Sequence, residues 1–120
     1  MVGNDSATNT NAVALIGRLG ARVEAKKLPS GAVITTFHVT VDRNPLDRGS
    51  SVTVDVIACV CTHKRLSDRV HRMAPGTRIR VAGSLRRRFW RGGSGLASAT
   101  EVYVREIAAV KELAADTREG

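Results

Sequence analysis

The run "VTVDVIACVCTHKRLSDRVHRMAPGTRIRVAGSLRRRFW", Val52 to Trp90, changes its apolar period twice. Residues 52–61 are apolar on both faces of an extended chain, which reads as a strand covered on both sides or meeting another subunit. From 62 to 74 the period changes: Leu66, Val70 and Met73 recur at i, i+4 and i+7, a helical stripe. Thr62 is placed to cap that helix and Ala74-Pro75-Gly76 to end it, while Arg65, Arg69 and Arg72 fall on its other face. At Thr77 the alternation returns to two. Ile79, Val81, Gly83 and Leu85 form an inner row, and Phe89 falls in line with it. Arg78, Arg80, Ala82, Ser84, Arg86, Arg88 and Trp90 form the outer row.

Outward from this strand–helix–strand centre the chain reads as strands. "AVALIGRLGARVE" (12–24) is rich in Val, Leu and Ile, and Gly17 and Gly20 mark a bulge or a barrel corner. "KKLPSG" (26–31) is a turn by its Pro-Ser-Gly chemistry. In "AVITTFHVTVD" (32–42), Val33, Thr35, Phe37, Val39 and Val41 share one face, as a half-buried strand requires. "RNPLDRGSS" (43–51) is a long loop and "RGGSGLAS" (91–98) a hairpin loop. "TEVYVREI" (100–107) is a fifth strand with Val102 and Val104 inward and Tyr103 and Arg105 outward. The order is three strands, a helix and two strands. That predicts an all-β fold with one short helix, a five-stranded OB-fold barrel with the helix between strands 3 and 4, although other small barrels share the pattern. Residues 1–10 are expected to be a disordered arm, 11–110 the barrel domain and 111–120 a short tail, and the end "AAVKELAADTREG" (108–120) is expected to form a short helix or fray.

Charge is unevenly spread over the 120 residues. Residues 64–91 hold ten basic side chains against the single acid Asp68, a local +9, and the rest of the chain carries −1. A one-sided positive field suits a polyanion; the plainer reading is a solubilising surface. Aromatic content is only 3%, yet Phe89 and the sole tryptophan sit among arginines. Along the outer row Arg78, Arg80, Arg86, Arg88 and Trp90 span about 40 Å of strand. Phosphates need cations and unpaired bases need flat partners, and this track offers both. The alternative is that Trp90 and Phe89 form a satellite core cluster, the preferred reading for Phe89.

Other chemistry is weakly supported. Cys59 and Cys61, two apart on a strand, are poorly placed to bridge each other and point to a reducing compartment. With His63 and His71 they are candidate zinc ligands, but two small buried core cysteines are the simpler reading, so no metal and no cofactor is expected. Asp42, Asp47 and Asp55 are too scattered for a metal nuclease, and no P-loop or Ser/His/Asp signature occurs, so a non-enzyme is expected. The polar start "MVGNDSATNT" lacks an apolar signal region, and no run is long enough for a membrane span, which suggests a cytoplasmic, nucleoid-associated protein.

The blocks "NAVALIGRLG" (11–20), "LPSGAVITTFHVTVDR" (28–43), "APGTRIRVAGSLRRRFW" (74–90) and "TEVYVREI" (100–107) resemble, in order and spacing, those of bacterial single-stranded DNA-binding proteins. The resemblance implies an OB-fold homotetramer that wraps single-stranded DNA in replication, recombination and repair. Trp90 matches the family's stacking tryptophan at the end of the fourth strand, and the basic positions of the loops after strands 2 and 4 match its DNA-contacting regions. The expected nucleic-acid-binding set is Trp90 with Arg78, Arg80, Arg86, Arg87, Arg88 and Arg91, extended by Lys26, Lys27, Arg43 and Arg48 on neighbouring loops. The chain departs from the family where further stacking aromatics are usual: the loop at 43–51 and the third strand have none. It also ends "AADTREG", without the acidic, Phe-terminated tip that recruits partners, so tail-mediated recruitment is not expected. These departures suggest a divergent or accessory paralogue, weaker and more salt-sensitive. The alternative is an OB-fold adaptor in a primosome-like or ribosome-associated assembly that binds nucleic acid by charge alone.

Overall fold

A computed structural model describes residues 9–49 and 51–111. Five strands and one helix follow the expected order: β1 (Val13–Lys27), β2 (Val33–Asp42), β3 (Val54–Cys61), α1 (Lys64–His71), β4 (Arg78–Gly92) and β5 (Gly95–Ala109), with a 3-10 turn at Pro45–Asp47. The strands close into a barrel in the order β1-β2-β3-β5-β4. All neighbours are antiparallel except β3 and β5, which meet in parallel at Cys59↔Val102 and Val60↔Tyr103. This is the OB-fold, with α1 between β3 and β4.

The inner rows fill the barrel as alternation requires. Phe37 and Val39 of β2, Ile79 and Val81 of β4, and Val102 and Val104 of β5 are buried together with Cys59 and Cys61. The helix adds Val70 to this cluster and packs Leu66 against it, while Met73 packs there from just beyond the helix, which ends at His71, before the stop expected at Ala74-Pro75-Gly76. Its Ser67 hydroxyl pairs with that of Thr35 on β2, so two buried polar groups satisfy each other. The helix starts one residue later than expected. His63, not Thr62, occupies the N-cap in an extended conformation and makes no side-chain cap bond.

β1 serves two neighbours by bending. Its first half pairs with β4 and its second with β2, and the β1–β2 register shifts between Leu19 and Val23. Gly17 allows the close approach: a Cβ there would lie 2.3 Å from the Thr40 carbonyl oxygen. β1 runs on to Lys27, so the turn expected at 26–31 tightens to the residues around Gly31, whose φ of 91° needs glycine.

The largest departure from expectation is the β4–β5 hairpin. Both strands are 15 residues long, and their pairing continues to Gly92↔Gly95. The loop expected over 91–98 is therefore only the two-residue turn Gly93–Ser94. The glycine-rich run supplies the unusual backbone of a tight hairpin, with Gly95 at φ 130°. From Leu85 to Arg91 every β4 residue is exposed on both faces of the strand. The barrel ends there, and the hairpin continues beyond it as a two-stranded ribbon. Phe89 thus leaves the inner row without entering a core and is 56% exposed, contrary to its expected burial. The helix or frayed end expected from Ala108 onward does not start there, because Ala108 and Ala109 continue β5 in its ladder with β4; its remainder from 112 onward lies outside the described residues, as does the N-terminal arm up to residue 8.

Candidate nucleic-acid interface

Alternation divides the ribbon into two faces. Ser84, Arg86, Arg88 and Trp90 share one with Tyr103, Glu101, Ala99 and Ala97 of β5, their register partners. Leu85, Arg87, Phe89 and Arg91 share the other with Val102, Thr100, Ser98 and Leu96. The contacts respect this division. The Arg86 guanidinium lies 4.5 Å from the Tyr103 ring centroid and that of Arg88 lies 4.6 Å from Trp90, both on the first face. Arg87 lies 5.1 Å from Phe89 on the second. Three of the four aromatic side chains in the protein are thus on this hairpin, each with a guanidinium over its ring.

Trp90 is 41% exposed, so it is not a core residue. Its neighbour Arg88 is held twice. It stacks on the indole and also donates from Nε and Nη2 to the two oxygens of Glu101, at 3.1 Å each. Glu101 is only 7% exposed. Its hydrogen bond to Arg88 raises the arginine's pKa further, reinforced by the charge itself against a modest burial penalty. Arg88 is therefore partly neutralised and fixed, and the geometry makes it a positioning residue for the indole.

A two-stranded ribbon is marginal alone, so its base needs anchoring. Asn11 supplies an anchor that the sequence did not announce. Its side-chain amide donates to the Leu85 carbonyl and accepts from the Leu85 N–H, both at 2.8 Å. β1 pairs with β4 only as far as Val13↔Gly83, so this side chain continues the ladder where backbone pairing stops. At Gly83 itself a Cβ would lie 1.9 Å from the Tyr103 carbonyl oxygen, beside the register shift where the ribbon leaves the barrel. Glu101 was also missed, although an acid in a strand facing an arginine row is a readable signal.

The remaining expected site residues separate by topology. The registers place the ribbon and the 43–53 loop at one end of the barrel, because β2 ends and β3 and β5 begin there. Arg48 is exposed on that loop. Arg43 is engaged: its Nε bonds both Asp55 carboxylate oxygens at 3.1 Å and its Nη2 one of them at 2.8 Å, which raises its pKa. The loop is ordered by the 3-10 turn, where the Asn44 side chain accepts from the Leu46 N–H at 3.0 Å. Arg78 and Arg80 lie further down the outer row of β4, beside Arg18 and Ile16 of β1, with Arg80 3.8 Å from Glu106. Lys26 and Lys27 are exposed at the far end of β1, which runs away from the ribbon toward the helix. The structure therefore groups Arg86, Arg87, Arg88, Arg91, Trp90, Arg43 and Arg48 at one end and leaves Lys26 and Lys27 at the other. Cys59 and Cys61 are free and buried, and among the described residues no three His, Cys, Asp or Glu side chains cluster as metal ligands.

This geometry has counterparts in known proteins. The chain is similar to the single-stranded DNA-binding protein of Oceanobacillus iheyensis, 27% identical over 82% of this chain and 59% of that one. It is 29% identical to single-stranded DNA-binding protein 4 of Streptococcus agalactiae, covering 69% of that protein, and 28% identical to single-stranded DNA-binding protein A of Bacillus subtilis, covering 55%. The chain thus spans between about half and two thirds of the length of these relatives. A solved structure described as the Plasmodium falciparum SSB complex with ssDNA matches with a TM-score of 0.73 at 25% identity, covering 86% of this chain and 96% of that one. Residues 10–110 match the profile of the single-strand binding protein family. A closed five-stranded barrel with an arginine-and-tryptophan ribbon, aligned over nearly all of its length with these proteins, belongs to the single-strand binding protein family.

Proposed function

We propose that the protein binds single-stranded DNA without sequence preference, as a non-enzymatic cytoplasmic protein serving replication, recombination and repair. The ribbon and the 43–53 loop form the gripping end. Trp90 offers a flat surface for a base, and Arg88 together with Glu101 holds that ring in place. Arg86 on the Trp90 face of the ribbon and Arg48 on the loop meet phosphates, with Arg78 and Arg80 continuing the outer row of β4. Arg43 is committed to Asp55 and mainly orders the loop. A homotetramer would present several such ends to one strand and raise their effective concentration.

One observation carries the reading: the sole tryptophan stands 41% exposed on a cationic ribbon outside the barrel, where folding gains little from it. The family's name and the DNA complex of its structural neighbour point the same way. The test is a titration of Trp90 emission with oligothymidylate at two salt concentrations, with duplex and RNA as competitors. Quenching that survives moderate salt and resists the competitors is expected. Flat emission at low salt overturns stacking at Trp90, and equal competition by duplex reduces the interaction to charge alone. Trp90→Ala is expected to cost about 1–3 kcal/mol of binding, the worth of one stacked base.

A further inference from the structure

The face of the ribbon opposite Trp90 is unexplained by that reading. It carries Phe89, 56% exposed, and Leu96, 75% exposed, between Arg87 and Arg91. No carboxylate lies on it: the β5 residues that share it are Leu96, Ser98, Thr100 and Val102. The one acid of the ribbon, Glu101, is on the Trp90 side and engages Arg88 there. Arg87 instead lies over Phe89 and donates to the Ser98 hydroxyl at 3.0 Å, leaving its charge uncompensated.

The two faces carry the same unit. On each, an arginine two residues before an aromatic ring lies over that ring: Arg88 over Trp90, and Arg87 over Phe89. A strand's alternation turns two consecutive copies of this unit to opposite sides. A ring that merely packed would be covered, and this one is not. Nor does the face suit an isologous contact with a second copy, because Arg87 and Arg91 would be brought against their own counterparts with no acid to offset them. An exposed flat ring between unpaired guanidinium groups fits a chain of bases and phosphates.

We propose that the Arg87–Phe89–Arg91 face is a second binding surface for unpaired nucleotides, so that single-stranded DNA is held on both sides of the ribbon. The proposal rests on the function given above. Phe89 would then restore part of the stacking that the aromatic-free 43–51 loop and third strand do not supply.

The 120-residue chain, titrated with a long oligothymidylate, tests this. Phe89→Ala is expected to weaken binding by at least about fivefold, the lower bound for one stacked base. Phe89→Tyr, which keeps a flat ring, should bind as the parent does, whereas Phe89→Leu, apolar but not flat, should fall with the alanine variant. Quenching of Trp90 at saturation should be unchanged in all three. Arg87→Gln with Arg91→Gln should flatten the salt slope by roughly 1.4 units. Photocrosslinking from a strand containing 5-iodouracil should modify Phe89 as well as Trp90. Parental affinity in Phe89→Ala alongside normal Trp90 quenching overturns this proposal and leaves the proposed function standing. So does full affinity in Phe89→Leu, or a drop in the sedimentation mass of free Phe89→Ala, which would make the face a protein contact. Absence of Trp90 quenching in the parent protein is a different failure, that of the proposed function itself.

Discussion

At the scale of single residues, partnership decides what each charged or polar group can do. Arg88 and Arg86 are indistinguishable in a sequence row. Yet one is tied to a nearly buried carboxylate and the other only leans on Tyr103. Arg88→Ala is expected to leave Glu101 short of its hydrogen bonds and to lower stability by about 1–2 kcal/mol, less than for a fully buried pair because the arginine is half exposed. Arg86→Ala should leave the denaturation midpoint almost unmoved but reduce the salt slope of binding by about 0.7. Thermal melting and salt-titrated binding of the two variants separate the roles. The thiols behave as core groups. Burial pushes Cys59 up to about 12, helped by the nearby Cys61, and Cys61 up to about 11, from an ordinary 9.0. Below pH 9 the folded and unfolded chains both keep these protons, and the stabilisation is whole. Between 9 and about 12 only the unfolded chain releases them, so stability should fall across that window. Denaturant midpoints measured from pH 8 upward check this, and a thiol-specific reagent should label neither cysteine until the protein unfolds. Burial of the two cysteines was legible from their apolar strand. The pairing of Arg88 with Glu101 was not, because it depends on the register between two strands.

At the scale of elements, the β4–β5 ribbon depends on what happens at its base. Asn11→Ala removes both side-chain bonds to Leu85 and should cost about 1–2 kcal/mol, near the lower figure because the site is exposed. A looser ribbon should also weaken DNA binding, while Asn11→Asp, which keeps only an acceptor, should fall between. Gly83→Ala forces a methyl group against the Tyr103 carbonyl and is expected to destabilise by about 1–3 kcal/mol, read from the denaturation midpoint. The sequence displayed the elements well. The change of period at 62 and again at 77 located the helix, and alternation set the inner rows of β2, β4 and β5. It failed where alternation stops having one meaning. Beyond Leu85 the rows persist but no core receives the inner one, so Phe89 was assigned an interior that does not exist there. The residues "LAS" (96–98) looked like loop because strand propensity reflects packing on a half-buried surface, and a free ribbon offers none.

At the scale of the whole molecule, topology sorts the cations into two ends. The ribbon and the 43–53 loop lie at one, while Lys26, Lys27 and the helix arginines Arg65, Arg69 and Arg72 lie toward the other. Net charge alone treated them as one field. Replacing Arg65, Arg69 and Arg72 by glutamine should therefore leave the salt slope for a short oligothymidylate nearly unchanged, whereas the same number of changes on the ribbon should lower it by about 2 units. Charge asymmetry and barrel order could be read from the chain, but which basic groups face one strand required the registers. Closure itself is uneven around the circumference. Four of the five seams are long antiparallel ladders, and the fifth, between β3 and β5, is two residue pairs. The cylinder is in effect a sheet rolled up and fastened by a single short clasp. Releasing that clasp unrolls it without parting any other neighbours, so deuterium should enter the amides at the clasp well before those along the β4–β5 ladder inside the barrel, although both are shielded from water.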